Sequence, residues 1–406
     1  MISIIEKLSR NELRIFRAVY EKGPVSRVRV ARGLNLTRPA VTLYTKKLTD
    51  LGLIKEVGKG ASSQKRGRRE IMLAVNPDAG IILAVHITLS SINFGLIKLN
   101  GQIISKEKQE FSEDSKPEEI LSLIHQSLKR MIKQHHYIDD QIFGISIALP
   151  GIIDYNAGTV KEKTRYGWEG FNLKKYFEDN FKLKAFIEND VKALTLGEFY
   201  FGIGRRVNDM VCFWLKDGIG AGIIFQGKLL RGFTSSAGEI GFNEFVLDIN
   251  ANKSILIDGS IKCWGNILSY MNIRKAIGRG ISDGWETILS KDASIDDFIA
   301  ALKKNDPLAR YIFSLISNVL GSISCNIAYS YNPRLLVLAG PLFEKIPELS
   351  SETKHHMEKG TLKAALESLD LKTSILGEDG FLIGCAALHL EYIFKAAESS
   401  VMDEDI

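Results

Sequence analysis

The chain has 406 residues, 45% hydrophobic and 25% charged, ordinary values for globular protein at a length that suits two or three domains with sizeable cores. Its apolar runs are short and broken by charge or glycine, so no bilayer-spanning stretch is expected, and the opening MISIIEKLSRNELR lacks the continuous apolar stretch of a secretory signal. The net charge of +5 hides an asymmetry: residues 1–75 carry 17 Lys and Arg against 6 Asp and Glu, a balance of +11, while the remainder stands at −6.

A basic head on a mildly acidic body points to a polyanion as the head's partner, the plainer alternative being a solvated basic surface. The four cysteines, Cys212, Cys263, Cys325 and Cys385, are widely spaced and form no CxxC pair. That usage implies a reducing cytoplasm, with thiols acting as small apolar groups.

Three helices fit within the first 52 residues. Ser9 caps the first, with Glu12 completing a capping box, and Leu13, Phe16 and Val19/Tyr20 form its apolar face. Gly23-Pro24 stops it; Ser26 caps a short second helix through Arg32, closed by Gly33. Thr37 caps the third, with Pro39 in its first turn. Val41, Tyr44, Leu48 and Leu51 make the stripe that faces helices one and two. The opposite face shows Arg38, Thr42, Thr45 and Lys46, the residue types that reach bases and phosphates from a recognition helix.

After Gly52, LIKEV reads as a strand, GKGASSQKRGRR as a loop and EIMLAV as a returning strand, which is a wing. Its loop carries Lys59, Lys65, Arg66, Arg68 and Arg69 with no acid among them, and Arg68 or Arg69 is suited to a narrow minor groove. The candidate DNA contacts are therefore Arg27, Thr37, Arg38, Pro39, Thr42, Lys46, Arg66, Arg68 and Arg69, in a winged helix-turn-helix over residues 1–75.

From Asn76-Pro77-Asp78 the pattern changes to alternating strands and helices. Residues 81–111 read strand, turn, strand, Asn100-Gly101 hairpin, strand. Residues 210–232 repeat the theme as VCFWL, a Gly-rich turn DGIGAG, IIF, a Gln226-Gly227 turn and KLLRG. The repeat exceeds a hundred residues, so a fold is duplicated within the chain, and two facing lobes leave a cleft where ligands usually sit.

With these phrases in view the chain resembles the ROK family, named for repressors, open reading frames and kinases, and in particular its repressor branch. The resemblance rests on SRVRVARGLNLTRPAVTLYTKKLTDLGLI and GRRE in the head. In the body it rests on ALPGIID (148–154), IENDVKAL (187–194), DGIGAGIIFQGKLLRG (217–232), SAGEIGF (236–242) and LLVLAGP (335–341). It implies an α/β chain: a winged helix-turn-helix followed by a two-lobed actin-like (ribonuclease H-like) sugar-kinase fold. The lobes are expected at 76–190, with a helix at about 384–400 packing back on it, and at 191–383, which also serves oligomerisation.

The resemblance also assigns residues. In the family's kinases the Asp matching Asp190 takes the proton from a sugar hydroxyl, and the Asn matching Asn189 holds a neighbouring one. Glu239 matches a glutamate that binds sugar hydroxyls, and Pro150 and Gly151 lie in the sugar-side phrase ALPGIID. Read bare, Asp190 is equally a helix cap and Glu239 a solvated loop residue.

Departures from the family pattern point away from phosphoryl transfer. The Asp-x-Gly-Gly-Thr phosphate loop of the kinases is replaced by His86, Thr88, Leu89 and Ser90, and Leu89 cannot let backbone N–H groups approach a phosphate as glycine does. His86 reads as a packed or satisfied histidine. The family's structural zinc is expected to be absent: its His becomes Phe242, two of its cysteines become Leu256 and Asp258, and Cys263 alone is kept. A sugar-binding glutamate of the family becomes Gly265. The expectation is a cytoplasmic regulator, with no cofactor and no membrane partner, that binds a double-stranded operator as a homodimer or homotetramer and responds to a sugar. Two alternatives stand beside it: an active sugar kinase with a DNA-binding head, and a regulator whose body only dimerises or docks another protein.

Overall fold

A computed structural model describes residues 7–59, 70–112, 114–138, 141–162, 166–244, 255–256, 261 and 263–398. Lys65, Arg66, Arg68 and Arg69 of the wing loop, and Asp258, lie outside the described residues. The chain divides into two compact units, Met1–Asp190 with Phe381–Ile406, and Val191–Gly380.

Unit 1 opens with the helical head: α1 (Arg10–Lys22), β1 (Val25–Ser26), α2 (Arg27–Leu34), α3 (Arg38–Asp50), β2 (Ile54–Lys59) and β3 (Ile71–Val75), with sheet order β1-β3-β2. The Glu12 carboxylate accepts the Ser9 N–H at 2.7 Å, and Ser26 and Thr37 hydroxyls accept the amides of Arg29 and Ala40. These contacts satisfy donors that a helix start otherwise leaves unpaired. Two expectations need correction. The second helix runs past Gly33 and ends on Asn35 at φ 54°, since a short amide side chain tolerates the left-handed turn. Thr45 faces inward, fully buried with Val41 and Leu48, because the 41-45-48 spacing follows one face of a 3.6-residue helix. Phe16, Val19, Leu53 and Leu73 complete this small core.

The first lobe contains β4 (Ile81–Ile87), β5 (Ser91–Lys98), β6 (Ile103–Glu110), α4 (Pro117–Gln134), β7 (Ile142–Leu149), β8 (Ile153–Asp154), β9 (Thr159–Val160), α5 (Leu173–Phe181) and β10 (Ala185–Asn189). Its sheet order is β10-β7-β4-β5-β6; β4 to β6 are antiparallel, and β7 and β10 run parallel to β4. Strands β4 and β7 are buried along their whole length, as parallel strands covered on both faces must be. Ile120, Ile124, Leu128 and Met131 of α4 join Leu83, Val85, Ile145 and Ile147 in one core.

Unit 2 takes up most of α6 (Asp190–Tyr200), then β11 (Met210–Leu215), β12 (Ile219–Phe225), β13 (Lys228–Leu229), α7 (Trp264–Ile267), α8 (Tyr270–Ser282), α9 (Ile295–Lys303), α10 (Pro307–Tyr331), β14 (Leu335–Ala339), α11 (Pro341–Lys345), α12 (Glu348–Met357), α13 (Lys363–Glu367) and β15 (Asp370–Thr373). Its sheet order, β13-β12-β11-β14-β15, has three antiparallel strands followed by two parallel ones. That is the topology of the first lobe, so the duplication is real. One helix contradicts the expected lack of any bilayer-length stretch: α10 has 25 residues and is apolar enough, yet 61% of its most apolar 18-residue stretch is buried. Leu308, Ile312, Ile316, Leu320, Ile323 and Ile327 place it in the core of unit 2.

The last described helix, α14 (Asp379–Glu398), returns from Phe381 onward to unit 1. The Cys385 thiol meets the Val85 carbonyl, and His389 Nδ1 lies 2.9 Å from Ser146 Oγ. Further along, Phe394 receives the edge of Tyr20 at 5.4 Å and the Arg17 guanidinium at 5.4 Å, while Tyr20 Oη donates to the Leu99 carbonyl. The head is thus seated on α14.

His389 is 3% exposed, its Nε2 has no hydrogen-bond partner among the described residues, and a Cβ on Gly144 would sit 2.2 Å from it. Burial pushes its pKa down to about 3. The folded value lies below the unfolded one, so the unfolded chain takes the proton first as pH falls. Stability is present above pH ~6.5 and drains away down to about pH 3, by about 2 kcal/mol between pH 7 and 5. Urea unfolding at the two pH values should show this difference shrinking by that amount in His389→Gln.

Candidate DNA-binding face and effector site

Helix α3 turns Arg38, Pro39, Thr42 and Lys46 to solvent, with Thr37 exposed at its cap. The Thr42 hydroxyl is tied to the Arg38 carbonyl at 2.9 Å. Leu43, 67% exposed, lies on the same outward face as Pro39 and Lys46 by helical spacing; a polar-residue search passes over it, although an apolar side chain suits a thymine methyl. Arg27 is turned into the head: its Nε donates to Thr45 Oγ1 at 3.0 Å and its Nη2 to Glu56 at 2.9 Å, which braces α2 against α3 and the wing. Replacing the exposed Arg38 by Ala should cost about 1–3 kcal/mol of specific affinity if it reads a base. Fluorescence anisotropy on cognate and scrambled duplexes checks this, and total binding should weaken with a log–log salt slope of about −0.9 per phosphate neutralised.

A second group of candidates meets at one edge of the first lobe. Because β4, β7 and β10 are parallel, their carboxyl ends lie together, where open α/β sheets hold ligands. His86 comes from the end of β4, Pro150 and Gly151 follow β7, and Asn189 ends β10. Asn189 is only 7% exposed and its Nδ2 donates to the Gly151 carbonyl at 3.2 Å. Asp190 opens α6, where the helix dipole favours a carboxylate. Its Oδ2 lies 3.9 Å from His86 Nε2, and the His86 ring stacks on Phe381 at 4.1 Å. His86 is therefore packed, as expected, but it is not satisfied by a hydrogen bond among the described residues.

The segment after β4 closes on itself. The Thr88 hydroxyl accepts from the amides of Ser90 and Ser91, the Thr88 amide donates to the Ser91 carbonyl, and Tyr166 Oη donates to the Thr88 carbonyl. Leu89 projects outward, 44% exposed.

In unit 2 the Gly-rich phrase corrects the expected turn. Gly220 and Gly222 are strand residues of β12, and a Cβ on them would meet Val191 and Thr195 of α6 at 2.8 and 2.0 Å. Their role is to let helix and strand approach closely. Glu239 sits half-buried between Gly238, at φ 91°, and a 3-10 turn at Ile240–Phe242. A Cβ on Gly238 would lie 2.0 Å from the Ala221 carbonyl, so β12 fixes the Glu239 loop. Lys192, 1% exposed, donates to the Ser235 carbonyl and anchors the same loop; its only signal in the sequence is a lysine inside the apolar stretch of IENDVKAL.

The residues at the family's zinc positions do not fit the metal. The Trp264 amide donates to the Asn243 carbonyl, and Glu244 bridges Cys263, so the Phe242 and Cys263 segments lie side by side. Phe242 offers no donor atom, Leu256 is buried and apolar, and the Cys263 thiol donates to Asn266 Oδ1 at 3.2 Å. One thiol does not make a tetrahedral site.

A family profile described as the ROK family matches residues 82–392, most of the chain. The chain belongs to the ROK family. A second profile, winged helix-turn-helix DNA-binding, matches residues 8–55, so this ROK protein carries a DNA-binding head. It is 27% identical over 392 residues to a xylose repressor of Caldicellulosiruptor bescii, covering 93% of this chain and 94% of the relative. It is 25% identical over 382 residues to an N-acetylglucosamine repressor of Escherichia coli O6:H1, covering 92% and 90%. Among solved structures, a ROK family transcriptional regulator, homologue of the Escherichia coli MLC protein, superposes with a TM-score of 0.82 at 22% identity, covering 96% of this chain and 97% of that one. The last likeness speaks for the fold.

Proposed function

We propose that this ROK protein is a sugar-responsive transcriptional repressor whose body senses the sugar without phosphorylating it. The observation that carries the reading is a basic winged helix-turn-helix seated, through Tyr20 and Phe394, on a lobe whose strand ends gather Gly151, Asn189 and Asp190. A carboxylate and an amide side by side supply the acceptors and donors that vicinal hydroxyls require. Two near full-length relatives named as sugar repressors support it. Pro150 and Gly151 follow the same strand end, Gly151 accepting from Asn189, and the family resemblance assigns sugar hydroxyls to Glu239 as well. Helix α14 is the route to the head, since it carries both Phe381, stacked on His86, and Phe394. Operator binding uses a homodimer or homotetramer on a palindromic site.

Loss of kinase activity is inferred from the turn after β4. Phosphoryl transfer depends on donors aimed at the phosphates, and here the Thr88, Ser90 and Ser91 amides are spent within the turn. The test is a thermal-shift panel of D-xylose, D-glucose and N-acetyl-D-glucosamine, with ADP release from ATP measured alongside. A sugar at 100 times its Kd stabilises by about 2.7 kcal/mol, and the same sugar should lower operator affinity. Turnover near ~1 per second, ordinary for kinases, would show a working phosphotransferase instead.

A further inference from the structure

We infer that His86 is a sugar-contacting residue which, with Asp190, grips a single hydroxyl of the effector; this rests on the sugar-sensing reading above and adds a contact outside it. His86 is only 7% exposed, yet neither ring nitrogen has a hydrogen bond among the described residues. The ring nitrogens keep contact with solvent, so a ligand at the strand ends can reach a donor that no described residue occupies. The plane of the ring is not free to swing, because it stacks on Phe381 at 4.1 Å with only 12° between the rings.

The gap has a defined width. His86 sits on β4 and Asp190 just past β10, and the strand between them, β7, offers only the small Ala148 in register with His86 and with Glu188. The two side chains reach toward each other past the end of β7 and stop with Nε2 and Oδ2 3.9 Å apart. That separation is too long for a direct hydrogen bond, but one oxygen can lie about 2.8 Å from both atoms. The oxygen must accept from an imidazole N–H and donate to a carboxylate. A hydroxyl does both, while a carbonyl, an ether or a phosphate oxygen cannot donate. The chemical class is therefore an alcohol of a sugar or polyol. Where the family's kinases keep an acidic residue before their phosphate loop, this chain has placed an imidazole N–H that donates to a hydroxyl.

The experiment uses the full chain and the sugar of the panel that shifts the parent protein, with binding measured by calorimetry for the parent, His86→Phe, His86→Gln and Asp190→Asn. His86→Phe keeps an aromatic ring for Phe381 and removes the donor. The expected result is binding at least tenfold weaker in His86→Phe, with an unchanged sugar-free melting temperature and partial recovery in His86→Gln, which retains an N–H. The double variant His86→Phe/Asp190→Asn should bind no more than about threefold worse than Asp190→Asn alone, since both residues hold the same hydroxyl. Binding in His86→Phe within twofold of the parent, while Asp190→Asn loses it, overturns the proposal and leaves the sugar-sensing reading standing. If no sugar shifts the parent, that reading fails and the proposal falls with it. Should His86→Phe not fold, the 15N resonances of the His86 ring, assigned by their loss in His86→Gln, decide the matter: movement on sugar addition supports the contact, and none overturns it.

Discussion

Asp190→Ala is expected to abolish sugar-driven release from the operator while leaving operator affinity itself within about twofold. The carboxylate stands at the first turn of α6 beside Asn189 and His86. Hydrogen bonds to a charged group contribute about 1.5–3 kcal/mol each, so losing two such bonds to sugar hydroxyls weakens binding by at least about a hundredfold. The candidate DNA contacts on α3, Arg38, Thr42 and Lys46, have no hydrogen bond or ion pair to Asp190 among the described residues. In cells the variant should repress permanently. Asp190→Asn separates two roles: an Asn retains helix capping, worth about 0.5–2 kcal/mol, while it lacks the carboxylate. Normal melting temperature with lost sugar response in Asp190→Asn assigns the residue to the ligand. A full response in either variant makes it a cap only.

Gly238→Ala should be the most damaging single methyl in unit 2. The residue holds φ at 91° and an added Cβ would lie 2.0 Å from the Ala221 carbonyl, a backbone atom with no room to retreat. Left-handed strain and overpacking each cost about 1–3 kcal/mol, so the sum is on the order of 3 kcal/mol or more. For a unit of this size that corresponds to a melting temperature lower by roughly 6–12 °C. Gly218→Ala is the matched control: none of the described residues lies within 4 Å of its Cβ position, and its stability should stay within about 0.5 kcal/mol of the parent. Equal losses in the two variants would mean that the Glu239 loop is not fixed by β12.

Local chemistry made much of this protein legible before any fold was known. Ser9 with Glu12, Ser26 and Thr37 marked their helices because capping is settled within four residues. The duplicated lobe was readable because each copy opens with an antiparallel hairpin ahead of its parallel strands. Asn189 and Asp190 fell at a strand-to-helix junction as read. What stayed hidden depends on distant partners. A glycine in DGIGAG looks like a turn residue until Val191 and Thr195 are seen to need its missing side chain. Thr45 looks like a DNA contact until Arg27 is seen to cap its hydroxyl from α2. His86 could not be connected with Phe381, almost three hundred residues away, and the length of α10 was masked by the serines and asparagines scattered through it.

The return of α14 to unit 1 also imposes an order on synthesis. Between Asp190 and Phe381 the ribosome must make all 190 residues of unit 2, which at about 5–20 residues per second takes roughly 10–40 s. Through that interval the nascent first sheet lacks the cover that Cys385 and His389 later give to Val85 and Ser146. The head, meanwhile, has no Phe394 to rest on. The inserted unit is thus finished before the one it interrupts. A chain stalled anywhere in the interval releases a three-helix head attached to a lobe that lacks α14, with an apolar sheet face open to chaperones and to other nascent chains.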